Sequence, residues 1–473
     1  MNNTFWKYTF VYACGFLLLR GISFFLLPIY TNMLSTNDAG IVFLIYTVLA
    51  FLNPIYAYGM NASLFKYYNK KKINKTSVIS TSFISLGVSS FIFSCILYFF
   101  SDFLNTLIID GLEFHLYNWF LLIALILFFD AFSSRVFVII RLLEQPKQFL
   151  MIGLINIILS LVCNYYCIGF LNLASYGAIL SIVLVSATQA FILSFKVFKY
   201  IKCSAFDFDL FKKMTSFAMP FLPSALLFVV IGFSDRWFIK YYLTLHDVGL
   251  YGAGYKLGSI MSLIVTGFSL NWQPYYLKKN HNNDNEFGKI GSLVIVCLVV
   301  VLTLLSVSAA SIVRLSWNQH YLIGKEFWGC VSIVPWVALG YFFYGIYVLQ
   351  MPAIFIKNKQ NWSVCFWVLG AVFNIVGNII LVPRFGIVGA AISTSISYCV
   401  MMVAIIIKNK KWLQIKYSLS HIFLQLIISC ATVLMFNYIY TIYLKIFCVL
   451  IYLLGSLWIL KSTFLANYSN ISE

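Results

Sequence analysis

Residues 290–313 read IGSLVIVCLVVVLTLLSVSAASIV, a run of 24 residues without a charged side chain. An α-helix rises about 1.5 Å per residue, so about 20 apolar residues cross the roughly 30 Å hydrocarbon core of a bilayer. This stretch is therefore predicted to be a transmembrane helix. Similar runs lie on both sides of it, at residues 10–31, 40–61, 77–100, 117–140, 149–171, 174–195, 215–240, 247–270, 328–350, 362–382, 386–407, 419–440 and 444–461. Together they predict an all-α integral membrane protein with about 14 transmembrane helices.

The composition agrees with a location in the bilayer. Of 473 residues, 62% are hydrophobic, 19% are aromatic and only 10% are charged, whereas a soluble domain has about 25% charged residues. Such a chain cannot cover a globule with polar surface, which argues against a soluble enzyme, a secreted disulfide scaffold and a nucleic-acid-binding domain. The 11 cysteines agree, because ten of them lie in apolar runs and none forms a CxxC pair.

The positive charges predict the orientation of the helices. The net charge is +18, and with the N-terminus inside, 23 of the 32 Lys and Arg residues fall in inner segments and five in outer ones. Cytoplasmic loops of membrane proteins have such an excess of Lys and Arg. Both termini are therefore predicted to be cytoplasmic. The basic charge follows from topology and requires no nucleic-acid partner.

Two pairs of similar segments indicate an internal repeat. Residues 34–40 resemble residues 243–249 at an offset of 209, and residues 176–179 resemble residues 388–392 at an offset of 212. Nearly equal offsets predict an N-terminal lobe with helices 1–6 (1–209), a C-terminal lobe with helices 7–12 (210–412), and an appendix with helices 13 and 14 (413–473). Transporters place their substrate path between such halves. Chance similarity between two helix starts is the alternative.

Six charged residues lie inside predicted spans, where charge is costly and therefore indicates function. The four cations predict a water-filled lumen that receives an anionic head group, since guanidinium and ammonium groups bind phosphate oxygens. Ion pairs are the alternative for the acids and their neighbours, and Arg135 has the further alternative of extending to the interface. The acids are also candidates for coupling to a proton or sodium ion. The cations are Arg20, Arg135, Arg236 and Lys256, and the acids are Asp130 and Asp235.

The chain lacks the sequence motifs of common enzymes and metal sites. The chain has no phosphate-binding GxxxxGK[ST] loop, no HExxH or GxSxG motif and no His/Cys cluster with metal-ligand spacing. No metal and no cofactor are therefore expected. A transporter is predicted in preference to an enzyme, although a membrane-embedded glycan polymerase remains an alternative from a different class.

Two stretches resemble a known family. Between residues 217 and 274 the chain reads Ser234-Asp235-Arg236, then Tyr255-Lys256, then Trp272-Gln273-Pro274; a second stretch covers residues 374–391 with Pro383-Arg384-Phe385-Gly386. These segments resemble the polysaccharide-exporter branch of the multidrug/oligosaccharidyl-lipid/polysaccharide (MOP) superfamily, the Wzx-type O-antigen flippases. The resemblance covers helices 1–12.

The resemblance implies a fold and a function. The fold would be two pseudo-symmetric six-helix lobes in a V around a central cavity, as in MATE transporters, plus two C-terminal helices. The substrate would be undecaprenyl-diphosphate-linked oligosaccharide, moved by alternating access across the bacterial cytoplasmic membrane among membrane lipids. A glycan polymerase and a chain-length regulator would be partners. A cationic-drug antiporter, against which the net +2 charge in the spans argues, and a lipid II flippase are the alternatives on this fold.

Overall fold

A computed structural model describes residues 21–70, 73–109, 118–143, 145–278, 284–317, 320–357, 359–413, 415, 417–439 and 441–469. The predicted class is confirmed, because the described chain consists of helices and short connections apart from one two-stranded hairpin. Contacts divide it into two compact units, Met1–Arg236 and Trp237–Glu473. The predicted lobe boundary at residue 209 rests on the repeat and stays a prediction.

The membrane-spanning helices correspond to the predicted apolar runs. Within the described residues, ten helices are long and apolar enough to cross a membrane alone, or twelve if each of two bent helix pairs counts as one span. The first run is described only in part, as the shorter apolar helix Gly21–Met33. The predicted runs 362–382 and 386–407 are not separated by a loop, because both lie within one helical stretch.

That stretch, Gln360–Trp412, folds back on itself. It is 53 residues long, too long for one span, and Gly386 breaks it with a backbone φ of 59° and ψ of −141°. Ser393 donates a hydrogen bond to the Asn374 carbonyl at 2.8 Å, and the Asn374 side chain donates to Thr394 at 3.3 Å. Residues about 20 positions apart can meet only if the chain reverses between them. The stretch is therefore two antiparallel spans, in agreement with the two predicted runs.

The first unit is built around one central helix. Trp119–Leu142 packs against six other α-helices of the unit. The α-helices of this unit are α1 Leu27–Met33, α2 Thr36–Ala57, α3 Met60–Tyr68, α4 Lys75–Phe99, α5 Ser101–Ile109, α6 Trp119–Leu142, α7 Pro146–Asn164, α8 Ala174–Val197, α9 Phe208–Ala218 and α10 Phe221–Phe233. A π-helical turn, Tyr165–Phe170, follows α7, and two 3₁₀ turns, Phe198–Tyr200 and Cys203–Ala205, precede α9.

Helices α9 and α10 form one bent span. They meet at an angle of 43°, and Pro220 lies at the break, where its ring and its missing N–H oppose a continuous helix. The buried residues of α9 are Leu210, Met214 and Ala218, four positions apart on one face. That face packs against α3. Polar and charged side chains occupy other positions of α9, so this half of the span is amphipathic.

The second unit contains the remaining helices. They are α12 Leu245–Gly258, α13 Ile260–Lys278, α14 Asp284–Val313, α15 Val334–Leu349, α16 Met351–Ile356, α17 Gln360–Trp412, α18 Leu419–Tyr438 and α19 Ile442–Ser469, and α11 Asp235–Tyr242 holds the boundary between the units. Two short strands, β1 Ser316–Trp317 and β2 His320–Tyr321, pair antiparallel after α14, and a 3₁₀ helix, Lys325–Ile333, precedes α15. Helix α15 is central, because it packs against α12, α13, α14 and α17.

A buried polar cluster fastens the connection between α17 and α18. Asn409 donates to the carbonyl of Gln350 at 2.9 Å and to its side-chain oxygen at 2.8 Å. The Gln350 amide then donates to the Tyr417 hydroxyl at 2.8 Å. Tyr417 lies outside the spans, and burial raises the pKa of its hydroxyl well above the usual value. The cluster thus ties the connection to the junction of α15 and α16.

The two C-terminal helices α18 and α19 share a second polar cluster. The Gln425 amide donates to the Tyr452 hydroxyl at 3.0 Å and to the Ser456 hydroxyl at 2.9 Å. Ser429 and Tyr452 exchange a further hydrogen bond at 3.0 Å. All four side chains are buried. Hydrogen bonds of this kind hold apolar helices together in a bilayer, where the hydrophobic effect does not drive helices to associate.

Candidate functional site

Helix α6 positions two of the predicted site residues. It begins at Asn118, whose side chain accepts a hydrogen bond from the Leu121 amide at 3.0 Å and so caps the helix. Asp130 and Arg135 follow in mid-helix. They are five residues apart, about 140° around the helix axis, and so they face different neighbours. They have different neighbours, because Ser186 contacts Asp130 and Tyr58 interacts with Arg135.

Asp130 is held by hydroxyl groups. The Ser186 hydroxyl on α8 donates to Asp130 Oδ1 at 2.7 Å. Tyr46 on α2 interacts electrostatically with the same carboxyl group, and its hydroxyl hydrogen-bonds with that of Tyr30 at 3.1 Å. A series of polar groups therefore crosses α8, α6, α2 and α1 inside the first unit. Among the described residues, the hydrogen-bond partner of Asp130 is the Ser186 hydroxyl on a different helix.

Arg135 is the most unusual side chain of the first unit. It is 0% exposed, and its three guanidinium nitrogens have no hydrogen-bond partner among the described residues. Leaving a buried charge unpaired costs several kcal/mol, so such groups are rare unless a ligand uses them. The side chain is fully enclosed by the protein. An anion that reached it would gain several charge-assisted hydrogen bonds at once.

An irregular backbone segment lies beside Arg135. Tyr58, which interacts electrostatically with Arg135, ends α2 in the left-handed region with φ of 31°. Gly59 follows with φ of 70°, and a Cβ there would collide with the carbonyl of Ala218. The close approach of α9 to this turn therefore requires glycine. Ser89 on α4 donates to the Tyr58 hydroxyl at 3.4 Å, which helps to hold the ring in place.

Arg236 and Asp235 lie at the end of the first unit. Arg236 Nη1 donates to the Gly232 carbonyl, one turn earlier, at 2.9 Å, and its guanidinium lies 5.2 Å from the Phe233 ring centre. Both residues are buried, with exposed fractions of 5% for Arg236 and 0% for Asp235. The guanidinium on α11 thus contacts a carbonyl and an aromatic face at the end of α10.

Lys256 belongs to the second unit. It lies on α12, which starts with a capping box in which Thr244 and Asp247 bond to each other's backbone amides. Lys256 is half-buried, and its neighbour Tyr255 hydrogen-bonds to Tyr341 on α15 at 2.7 Å. Arg20, the remaining predicted cation, lies outside the described residues.

The side chains that lie beside the buried charges were not predicted. Ser186 is 56 residues from Asp130 along the chain, and Tyr58 is 77 residues before Arg135. No spacing within one helix connects such residues, so only the packing of α2, α6 and α8 reveals them. Within the described residues, no group of three or more His, Cys, Asp or Glu side chains could hold a metal ion.

Solved structures share this fold. The lipid II flippase MurJ, in an inward closed conformation, matches 98% of this chain and 100% of its own with a TM-score of 0.71 and 15% identity. An inward-facing multidrug resistance transporter of the MATE family, in the MOP superfamily, matches 84% of this chain and 94% of its own with a TM-score of 0.64 and 12% identity. These likenesses confirm the MOP-type fold.

Sequence comparison identifies the family. An uncharacterised membrane protein of Methanocaldococcus jannaschii is 22% identical over 437 residues, which are 84% of each chain. Residues 5–279 match the family model described as polysaccharide biosynthesis protein. Because this match covers more than half of the sequence, the chain belongs to the polysaccharide biosynthesis protein family.

Proposed function

We propose that the protein is a flippase for undecaprenyl-diphosphate-linked glycan repeat units, such as those of O-antigen. It would move them by alternating access from the inner to the outer leaflet of the bacterial cytoplasmic membrane, with both of its termini in the cytoplasm. The observation that favours an anionic cargo is the enclosed guanidinium of Arg135, which has no hydrogen-bond partner among the described residues. The family and the shared fold support transport.

The physics of the cargo explains why a protein is needed. Sugar hydroxyls and phosphates would lose their water partners in hydrocarbon, at a cost of about 2–7 kcal/mol for each uncompensated neutral polar group and more for each charge. Fixed cations inside the protein replace water at the diphosphate, while the lipid tail stays in the bilayer. An inside-negative potential favours outward movement of two negative charges by roughly 4–5 kcal/mol per 100 mV.

Within this proposal the charged side chains take distinct roles. Arg135 binds phosphate oxygens, and Arg20, Arg236 and Lys256 each contact the head group at some stage of transport. Asp130, with the Ser186 hydroxyl bound to it at 2.7 Å, takes up a proton or sodium ion in exchange; Asp235 is the second candidate. A polymerase and a chain-length regulator receive the flipped units. The chemistry is translocation, so no enzyme activity is proposed.

Lipid II is the second candidate cargo. A lipid II flippase matches 98% of this chain in structure, which favours lipid II as the cargo. The diphosphate of lipid II would suit the same cations. The two cargoes differ in their sugars, and only substrate tests distinguish them.

The test is complementation in a strain whose own gene is deleted. Surface glycan is followed by gel, and lipid-linked repeat units are followed by extraction. We expect the deletion to lose surface polymer and to accumulate lipid-linked units, and Arg135→Ala at normal expression to do the same. The matched control is Arg384→Ala, which removes an exposed guanidinium and should restore the wild-type phenotype.

Two results would contradict the proposal. Normal surface glycan in the deletion strain, together with new sensitivity to cationic drugs, would identify a drug exporter. Rescue of peptidoglycan synthesis in cells depleted of their lipid II flippase, with surface glycan unaffected, would identify lipid II as the cargo.

A further inference from the structure

A cluster of lysines and aromatic rings lies at one end of the first unit. We name it the basic–aromatic patch. Its residues come from the end of α3, the start of α4, the connection between α8 and α9, and α9 itself. Its seven described lysines are all exposed, and they are Lys66, Lys70, Lys75, Lys199, Lys202, Lys212 and Lys213. The acids of the described residues in these segments are Asp207 and Asp209, so the patch is strongly cationic.

The patch is held together by hydrogen bonds. The backbone amide of Lys202 donates to Ser80 at 2.9 Å, and that of Asp207 donates to Thr81 at 3.1 Å. These two bonds fasten the connection between α8 and α9 to the first turns of α4. The Ser63 hydroxyl on α3 donates to the Met214 carbonyl at 2.8 Å. The lysines are therefore presented on an ordered surface, not on a free loop.

Aromatic rings lie under many of these lysines. Lys66 Nζ is 3.5 Å from the ring centre of Phe217, and Lys212 Nζ is 5.0 Å from that of Phe208. Lys70, Lys75 and Lys199 have similar contacts with tyrosines, at 4.6 Å, 4.9 Å and 5.0 Å. Such cation–π contacts hold an ammonium group in place while leaving its N–H groups available for an anion.

Several phenylalanines of the patch are exposed. Phe198 is 56% exposed, Phe206 is 38% exposed and Phe208 is 58% exposed. Phe208 is part of α9, whose opposite face is buried against α3. Exposed aromatic rings interleaved with lysines are unfavourable in water but suit the boundary between head groups and acyl chains. This composition distinguishes the patch from a charged loop that only determines topology.

We propose that the basic–aromatic patch binds anionic phospholipid head groups of the adjacent leaflet. The lysines contact phosphate oxygens, and the phenylalanines enter the level of the glycerol backbone. Charge complementarity and the exposed rings select a lipid over a soluble anion, because a soluble anion gains nothing from the rings. By the excess of positive charge the leaflet is the cytoplasmic one. This inference does not depend on the cargo.

The experiment uses the purified full-length protein in neutral detergent. Binding of phosphatidylglycerol is measured by native mass spectrometry and by the increase in unfolding temperature that the lipid causes. The test variant combines Lys199→Gln, Lys212→Gln and Lys213→Gln. The control variant combines Lys357→Gln, Lys410→Gln and Lys411→Gln, which removes three exposed lysines elsewhere. Both variants change the net charge equally.

We expect phosphatidylglycerol to stabilise the wild type and phosphatidylcholine not to. Each lysine near an anionic surface contributes about fivefold to affinity, so the test variant should bind phosphatidylglycerol on the order of a hundredfold more weakly at low salt. The control variant should bind as the wild type does. A second variant, which combines Lys199→Arg, Lys212→Arg and Lys213→Arg, keeps the charge and should retain binding.

Three results would overturn the inference. Equal loss of binding in the test and control variants would show an effect of net charge alone. Equal binding of phosphatidylcholine and phosphatidylglycerol would exclude head-group recognition. Stabilisation by inorganic phosphate to the same degree as by the lipid would identify a site for a small anion. If the Gln variant does not fold, a variant with Phe198→Ser and Phe208→Ser must weaken lipid binding without changing the charge.

Discussion

At the scale of single residues, the central feature is the contrast between Asp130 and Arg135 on one helix. Both are charged groups in the membrane interior, yet the carboxylate accepts a hydrogen bond from Ser186, while the guanidinium has no hydrogen-bond partner among the described residues. The acid is hydrogen-bonded, while the base interacts electrostatically with Tyr58. The guanidinium, whose N–H groups are not hydrogen-bonded to any described residue, is thus well placed to attract an anion.

Replacing Arg135 should therefore separate stability from function. In Arg135→Met an apolar chain of similar length fills the site, and the buried charge is gone. We expect the free energy of unfolding to rise by about 1–4 kcal/mol while transport is lost. Thermal unfolding in detergent and the surface-glycan assay measure the two effects. Lower stability together with retained transport would contradict the role proposed for this residue.

Ser186 should contribute to stability through its bond to Asp130. Ser186→Ala leaves a buried carboxylate oxygen without its donor, which costs about 1–3 kcal/mol. The matched control is Thr188→Ala on the same helix, because the Thr188 hydroxyl bonds only to the carbonyl of Leu184 in its own helix and is exposed. We expect a lower unfolding temperature for Ser186→Ala than for the control. Equal unfolding temperatures would show that this bond is not important.

The sequence identified the charged residues but not their surroundings. Charge inside an apolar run is visible in the sequence, so Asp130 and Arg135 were predicted as site residues. Whether such a charge is paired depends on side chains that distant helices bring to it. Tyr58, which interacts with Arg135, and Gly59 have left-handed backbone conformations, and the pair Tyr-Gly in the sequence is not a specific signal for them.

At the scale of elements, breaks in helices distinguish the structure from a set of straight spans. The apolar runs are visible in the sequence, because hydropathy depends on composition alone. Their bounds can differ from those of the helices, since the run at 215–240 corresponds to a bent span at Phe208–Ala218 and Phe221–Phe233. The bend of 43° lies at Pro220, where the missing N–H opposes a continuous helix. The reversal at Gly386 was anticipated only as a gap between two runs. Its tight geometry comes from contacts between the two helices of the hairpin.

That reversal should be sensitive to added side chains. A Cβ at Gly389 would collide with the Leu381 carbonyl, and Gly386 has a positive φ of 59°. We expect Gly389→Ala and Gly386→Ala each to destabilise the protein by about 1–3 kcal/mol. Gly455→Ala is the control, because a Cβ there has no neighbour within 4 Å, and in α19 it should stabilise by about 0.5–1 kcal/mol. The unfolding temperatures of the three variants test this predicted order of stability.

The Tyr417 cluster predicts a dependence of stability on pH. Burial raises the pKa of this hydroxyl above its unfolded value, so folding favours the neutral form. The associated stability is fully present below about pH 10 and decreases as the pH rises through the folded pKa. In Tyr417→Phe this decrease should be smaller. The measurement is the free energy of unfolding of both proteins between about pH 8 and about pH 11, around the pKa of a free tyrosine. If the cluster had no such effect, the two curves of stability against pH would be parallel.

At the scale of the whole molecule, the distribution of charge predicts which side faces the cytoplasm. The 23-to-5 asymmetry extends over all fourteen predicted spans, so no single loop determines the orientation. The predicted repeat and lobe boundary rest on two short similarities in the sequence. The compact units of the structure divide after Arg236, within α11.

Cysteine labelling tests the orientation. Cys203 is exposed in the connection before α9, which is predicted to be cytoplasmic. In a variant that retains only this cysteine, we expect no reaction with a membrane-impermeant maleimide in intact spheroplasts and full reaction after lysis. Ser316→Cys, at an exposed position of the hairpin predicted to be outside, should react in both. The reverse pattern would mean that the chain is inserted the other way.

The polar cluster between α18 and α19 has a consequence for biogenesis. Gln425 and Ser429 on the first helix form hydrogen bonds with Tyr452 and Ser456 on the second. The two helices therefore recognise each other directly. They can leave the translocon as a closed hairpin whose amide and hydroxyl groups are already hidden from lipid.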